Sequence, residues 1–242
     1  LVALLAGFGP ALTGVANPFT IRLGALLLFV MTSLLFYRLA LALTDERGAF
    51  FALLALNCCP LTILGAGAAV LPDASLAFFW TATLLILRRI LLTDDATHAH
   101  WIAAGALSGF AMLSKYHGVL LPGLLGLYLL AYRRDLLKTP WPYVYGVVAL
   151  VVFSPVLIWN ASHDFISFRF QGARAGGGGG LSLKYLSMTI GGQLAYLTPM
   201  IAVPMAWIIG RSIRNLWRDE DATWRFYLFF GTAPVLVFML IG

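Results

Sequence analysis

Residues 48 to 87 carry one charged side chain, Asp73, set in the apolar run from Ala68 to Trp80. A carboxylate at bilayer depth costs roughly 2.5–3.5 kcal/mol, so it usually faces a cavity, pairs with a cation or works on a substrate. A plainer reading competes: Pro72-Asp73 can open a helix, with Asp beside the positive end of its dipole at the membrane surface. Further on, Ser114-Lys-Tyr-His-Gly118 separates two short apolar stretches. The turn is too brief to leave a bilayer of ordinary thickness, so Lys115 and Tyr116 are predicted to be recessed. A recessed ammonium suits an anionic ligand, and snorkelling to the interface is the competing fate.

A third group lies in residues 160–192, where His163, Asp164, Arg169, Arg174 and Lys184 accompany aromatics and the run Gly176–Gly180. Five glycines have almost no conformational preference, which predicts a mobile connection that either closes over a site or is a plain linker. Cations beside a base suit a phosphate leaving group. Arg binds phosphate oxygens bidentately and Lys as a point charge, while a carboxylate takes the proton of an attacking hydroxyl.

These residues need a scaffold, and the composition says which. Hydrophobic residues make up 61% of the 242-residue chain and charged ones 11%, with a mean hydropathy of +0.89. That excludes a soluble globular domain and predicts an all-α, polytopic transmembrane bundle formed as a single domain. Eight apolar stretches approach the length of a span: 23–43, 49–70, 74–92, 101–116, 119–132, 142–159, 193–209 and 226–241. Leu1–Leu12 is too short to cross and is predicted to be an interfacial or truncated helix.

On that map Arg38, Arg47, Arg88, Arg89, Arg133, Arg134, Lys138, Arg211, Arg214, Arg218 and Arg225 share one side, cytoplasmic by the positive-inside rule. Arg22, Asp73, Lys115, Asp164, Arg169, Arg174 and Lys184 fall on the other. The net charge of +6 is thus chiefly a topology signal. Without a soluble domain to carry a basic stripe, no nucleic-acid partner is expected. Cys58 and Cys59 are adjacent inside a span and cannot pair ordinarily. His98 and His100, two residues apart, do not have helical metal-site spacing, and no metal site is expected. Asn160-Ala-Ser is formally a glycosylation sequon and is read as coincidence.

Leu71-Pro-Asp-Ala, Leu113-Ser-Lys-Tyr and the stretch from Pro155 through Trp159-Asn160 to Phe170-Gln171 together resemble the bacterial branch of the dolichyl-phosphate-mannose protein mannosyltransferase-like family, which includes lipid A aminoarabinose transferases. The resemblance covers nearly the whole chain. It implies a GT-C-fold membrane glycosyltransferase that passes a hexose- or pentose-type sugar from a polyprenyl-phosphate carrier to a lipid, glycan or protein hydroxyl, with inversion and without a nucleotide sugar. Its place would be the bacterial inner membrane, among membrane lipids, with the active side periplasmic. The family's first helix and principal acidic loop are expected upstream of Leu1, making this chain a fragment. Asp73 matches a second acidic position beside the reaction cavity. Lys115 and Arg169 match positions near the carrier phosphate, Tyr116, Arg174 and His163 are further candidates for substrate or phosphate binding, with a structural hydrogen bond to the loop as the competing role of His163, and Asp164 does not match an acidic position. No cofactor is certain, and a divalent cation stays open. The rival class is a transporter or flippase for a lipid-linked or anionic substrate. The two halves lack internal symmetry and the polar residues gather at one face rather than the midplane, both of which weigh against transport.

Overall fold

A computed structural model describes residues 1–176, 183–215, 222–235 and 237, and among these every regular element is helical. The chain divides into two compact units, Leu1–Val152 and Phe153–Gly242.

The first unit opens with α1 (Val2–Thr13) and α2 (Pro18–Leu43). Asn17 caps α2, its side chain accepting from the backbone N–H of Phe19 and Thr20 at 2.9 Å each, while Thr20 Oγ1 accepts from the Asn17 N–H at 3.0 Å. This reciprocal cap and Pro18 at the first helical position fix where the helix starts. Residues 1–12, expected to be an interfacial or truncated helix, form α1 and make an antiparallel hairpin with α2. Gly9 lies against the Thr20 carbonyl and Gly24 against the Leu5 carbonyl, close enough that α1 runs alongside α2.

The stretch 49–70, expected as one span, is interrupted. Helix α3 (Glu46–Cys58) stops at Cys59, whose extended backbone precedes α4 (Pro60–Thr62) and a π-helical turn over Ile63–Ala68. Proline disfavours the helical region for the residue before it and lacks the N–H that would continue the ladder, which explains the break. Cys58 and Cys59 form no disulfide.

Helix α5 (Pro72–Leu92) and helix α6 (His98–Ser114) make the closest-packed pair of the unit. Leu87, Ile90, Leu91, Thr83 and Ser75 of α5 are buried, as are Ala104, Ser108 and Ala111 of α6. The buried Ala74 of α5 meets Ala25 of α2 beneath Phe29. After a 3-10 turn over Tyr116–Val119 come the short α7 (Leu120–Tyr132) and then α8 (Trp141–Ala161), whose first twelve residues belong to this unit. Small residues let α6 and α8 approach: a Cβ built on Gly105 would fall 2.6 Å from the Tyr145 carbonyl oxygen, and one on Gly109 would fall 2.6 Å from Val152 Cβ.

Successive helices alternate in direction, so the unit has two ends. At the end carrying the arginines, Arg88 Nη2 donates to the Ala42 carbonyl at 2.9 Å and Arg133 Nη1 to the Leu91 carbonyl at 3.2 Å. Each guanidinium satisfies a carbonyl that the last turn of a neighbouring helix leaves unpaired, on the side its dipole makes negative. His98 stacks on Trp141 with ring centroids 3.8 Å apart, and His100 Nδ1 accepts from the Thr97 N–H at 2.9 Å, so both histidines are engaged in packing and capping.

In the second unit, the end of α8 leads through a turn at Ser162–Phe165 into α9 (Ile166–Gly176), followed by α10 (Leu183–Asn215), α11 (Ala222–Phe226) and a π-helical turn over Tyr227–Thr232. The connection expected over 160–192 is therefore largely helical, because Phe165 and its successors close i to i+4 hydrogen bonds as soon as the turn is complete, Arg169 N–H donating to the Phe165 carbonyl at 3.0 Å. The expected mobile segment falls mostly outside the described residues, since Gly177–Gly180 are not among them.

Among the described residues α2, α5 and α8 are long and apolar enough to cross a membrane, and Val2–Thr13, Tyr116–Tyr132 and Ile201–Arg211 are shorter apolar helices. The protein is an all-α membrane protein.

Gly105→Leu should lower stability in detergent by about 1–3 kcal/mol, since the larger side chain must displace the α8 backbone; an unchanged melting temperature would contradict the packing. Asp95, in the connection after α5, is held down to about 2, below its usual 3.8, by hydrogen bonds from Arg89 and Thr93. A carboxylate whose folded pKa is depressed stabilises fully above its unfolded pKa and loses that contribution as pH falls through the folded one. Asp95→Asn should therefore flatten the pH dependence of unfolding below pH 3.8, read by comparing denaturation of the two proteins down to pH about 2.

Candidate functional site

At the end of the first unit opposite the arginine caps, Lys115 Nζ donates to Asp73 Oδ1 at 3.0 Å. The two residues are 42 apart in sequence and belong to consecutive antiparallel helices. Asp73 sits in the first turn of α5, immediately after Pro72, and the helix has no side-chain cap of its own. The carboxylate therefore lies where the orphan N–H groups make the helix end positive. Lys115 ends α6: its N–H donates to the Ala111 carbonyl at 3.1 Å, and its extended backbone turns the chain out of the helix.

What fixes the height of Lys115 is the turn that follows. Gly118 is buried, its N–H donates to the Lys115 carbonyl at 2.9 Å, and a Cβ there would lie 2.4 Å from the backbone nitrogen of Met112. Only a residue without a side chain lets the 3-10 turn fold back on the last turn of α6. Below the pair, Phe79 of α5 stacks on Phe110 of α6 at 5.1 Å between centroids, and buried Thr83 donates its hydroxyl to the Phe79 carbonyl at 2.7 Å. An aromatic floor thus underlies the charges.

The Asp73 side chain is 40% exposed and that of Lys115 37%. Neither is sealed in, so a ligand can reach both. An ion pair open to solvent to this degree contributes about 0.2–1 kcal/mol, too little to make it a structural necessity. Asp73 offers Oδ2 to another donor, and the ammonium has donor capacity beyond its bond to Oδ1. Tyr116 is half-buried at the start of the 3-10 turn. Among the described residues no group of three or more His, Cys, Asp or Glu side chains could hold a metal ion.

The remaining expected residues lie in the second unit. His163 stacks on Trp159 with centroids 4.1 Å apart and interplanar angle 11°, and its Nδ1 lies 2.8 Å from the Trp159 carbonyl oxygen and 3.0 Å from Ser162 Oγ. With Nδ1–H donating to that carbonyl, Nε2 is left as the acceptor. Asp164 is exposed with a φ of 51°, and Phe165 follows at 55°, both in the left-handed region that non-glycine residues enter at a cost. Arg169 is exposed on α9; the side chains of Arg174 and Lys184 lie outside the described residues. Asn160 is fully buried, its Nδ2 donating to the Val156 carbonyl at 2.9 Å, so the sequon has no accessible amide to modify.

The residues that the sequence suggested one at a time are thus joined in one case. Asp73 and Lys115 each had a separate assignment, and their direct contact went unread. Its signal was present: two lone charges of opposite sign at the same end of consecutive antiparallel spans. Gly118, which sets the height of Lys115, was missed because a glycine in a turn is ordinary until the backbone beside it is seen.

A family model described as dolichyl-phosphate-mannose-protein mannosyltransferase matches residues 1–159. No curated protein and no solved structure matches.

In a Cys58→Ala, Cys59→Ala background, single cysteines replacing Lys115 and Arg134 should react with an impermeant thiol reagent from opposite sides of sealed vesicles. Labelling of both from one side would contradict the two-ended arrangement.

Proposed function

The chain belongs to the dolichyl-phosphate-mannose-protein mannosyltransferase family and is on that ground a membrane glycosyltransferase; from this premise we propose that it moves a sugar from a polyprenyl-phosphate carrier to an acceptor hydroxyl, at the membrane face where Asp73 and Lys115 meet. The observation that carries the reading is the 3.0 Å contact of an accessible carboxylate and an accessible ammonium at the ends of two membrane helices. A lipid-linked phosphate enters from the bilayer at that depth, and its leaving charge needs a cation.

In this reading the acceptor oxygen bonds to the anomeric carbon while the bond from that carbon to the phosphate oxygen breaks. The electron pair leaves on the phosphate, where the Lys115 ammonium stabilises it. Asp73 accepts a hydrogen bond from the acceptor hydroxyl, orients it and takes its proton as the new bond forms, being the one carboxylate at this end of the first unit among the described residues. Tyr116, Arg169 and His163 are assigned to donor and phosphate binding on their place in the family-like motifs, and Arg174 on its charge. Charge distribution supports the periplasmic side of a bacterial inner membrane for this face, since the arginine-rich end is then cytoplasmic. A site at helix ends rather than at the midplane favours transfer over transport.

Reconstituted membranes supplied with a mixture of polyprenyl-phosphate sugars test this directly. Asp73→Asn should lower transfer by about tenfold or more, with the melting temperature within a few degrees of the parent's. Undiminished transfer would return Asp73 to the role of a helix-start carboxylate.

A further inference from the structure

We infer that the Asp73–Lys115 ion pair is a substrate-exchanged contact, in which the carrier phosphate takes Lys115 from Asp73 and thereby frees the carboxylate of its cation only when donor is bound. The inference rests on the proposed function above and adds a regulation of the same site.

The geometry has the properties an exchange needs. The two side chains are comparably exposed, at 37% and 40%, so an incoming anion meets the ammonium without unfolding anything. Lys115 lies in an extended stretch after α6, and its four-carbon stem can swing while its backbone stays anchored to Ala111 and Gly118. Asp73 has the opposite character. It is fixed in the first turn of α5, between Pro72 at the helix start and the fully packed Ala74. The cation moves and the carboxylate stays. A pair of this exposure is held weakly enough for a phosphate to compete with it.

The direction of the exchange follows from charge. A sugar-linked carrier is a phosphodiester with one negative charge. Once the sugar has left, the carrier is a monoester whose second ionisation, at pKa about 6, gives it nearly two charges at neutral pH. Attraction for Lys115 therefore grows along the reaction coordinate, which is the condition for an interaction to accelerate the chemical step. While Lys115 is on the phosphate, Asp73 loses its cationic partner and gains strength as a hydrogen-bond acceptor for a hydroxyl. When the spent carrier leaves, Asp73 takes the ammonium back and competes against rebinding. With no donor present, the carboxylate keeps its cationic partner and is the weaker acceptor for a hydroxyl.

A binding cycle separates this from a static ion pair. The protein in nanodiscs is titrated with farnesyl phosphate, with farnesol and inorganic phosphate as the two partial ligands, for the parent, Asp73→Asn, Lys115→Met and the double variant. Exchange predicts that Asp73→Asn binds farnesyl phosphate about three- to fivefold more tightly, the equivalent of releasing a half-exposed ion pair. Lys115→Met should bind it more weakly, and the tightening should vanish in the Lys115→Met background. Farnesol should be indifferent to every substitution. Unchanged or weaker binding by Asp73→Asn overturns the exchange, as does the same tightening with and without Lys115, which would be plain repulsion between the carboxylate and the phosphate. Transfer assays on the same variants read the catalytic proposal separately. A binding cycle that holds while no donor is ever turned over would sink the transferase reading and leave the exchange standing.

Discussion

A charge placed at the end of an apolar helix must be neutralised, hydrated or used, and Asp73 meets that demand through the register of α5 and α6. Its partner comes from the next helix of an antiparallel pair, so α5 and α6 have to be in register to within the reach of a lysine side chain. Several local choices converge on that register. Pro72 sets the start of α5, the short connection between α5 and α6 returns the chain, and Gly118 lets the turn after α6 fold back so that Lys115 stays low. Phe79 against Phe110 holds the helices together just beneath.

The opposite end uses cations differently. Arg88 and Arg133 do not face ligands; they reach across to the exposed carbonyls of Ala42 and Leu91, tying the end of each helix to a neighbour. A positively charged side chain there caps a helix that is not its own. Both ends thus depend on side chains supplying what the helix termini lack, a carboxylate beside N–H groups at one and guanidinium groups beside carbonyls at the other.

Much of this was legible beforehand. The helical class followed from uninterrupted apolar runs, and Asp73 and Lys115 stood out because nothing near them in sequence was charged. The sidedness of the charges was readable from their alternation along the chain. Three things were not. The break at Cys59-Pro60 was hidden by the unbroken hydropathy around it, although the proline was in view. Helix α9 was read as a connection because composition outweighed its local hydrogen bonding. The contact of Asp73 with Lys115 depends on the register of two helices, which hydropathy does not specify and side-chain packing does.

The central claim is that one mobile ammonium serves both a fixed carboxylate and a lipid phosphate. Solid-state NMR on the protein in lipid, with isotope labels at Lys115 Nζ and Asp73 Cγ, measures both contacts at once. The account predicts strong Nζ to Cγ dipolar coupling in the absence of ligand; saturating farnesyl phosphate should weaken it and bring up coupling between Nζ and the ligand phosphorus. Coupling to Asp73 that persists at saturation, with none to phosphorus, would contradict it.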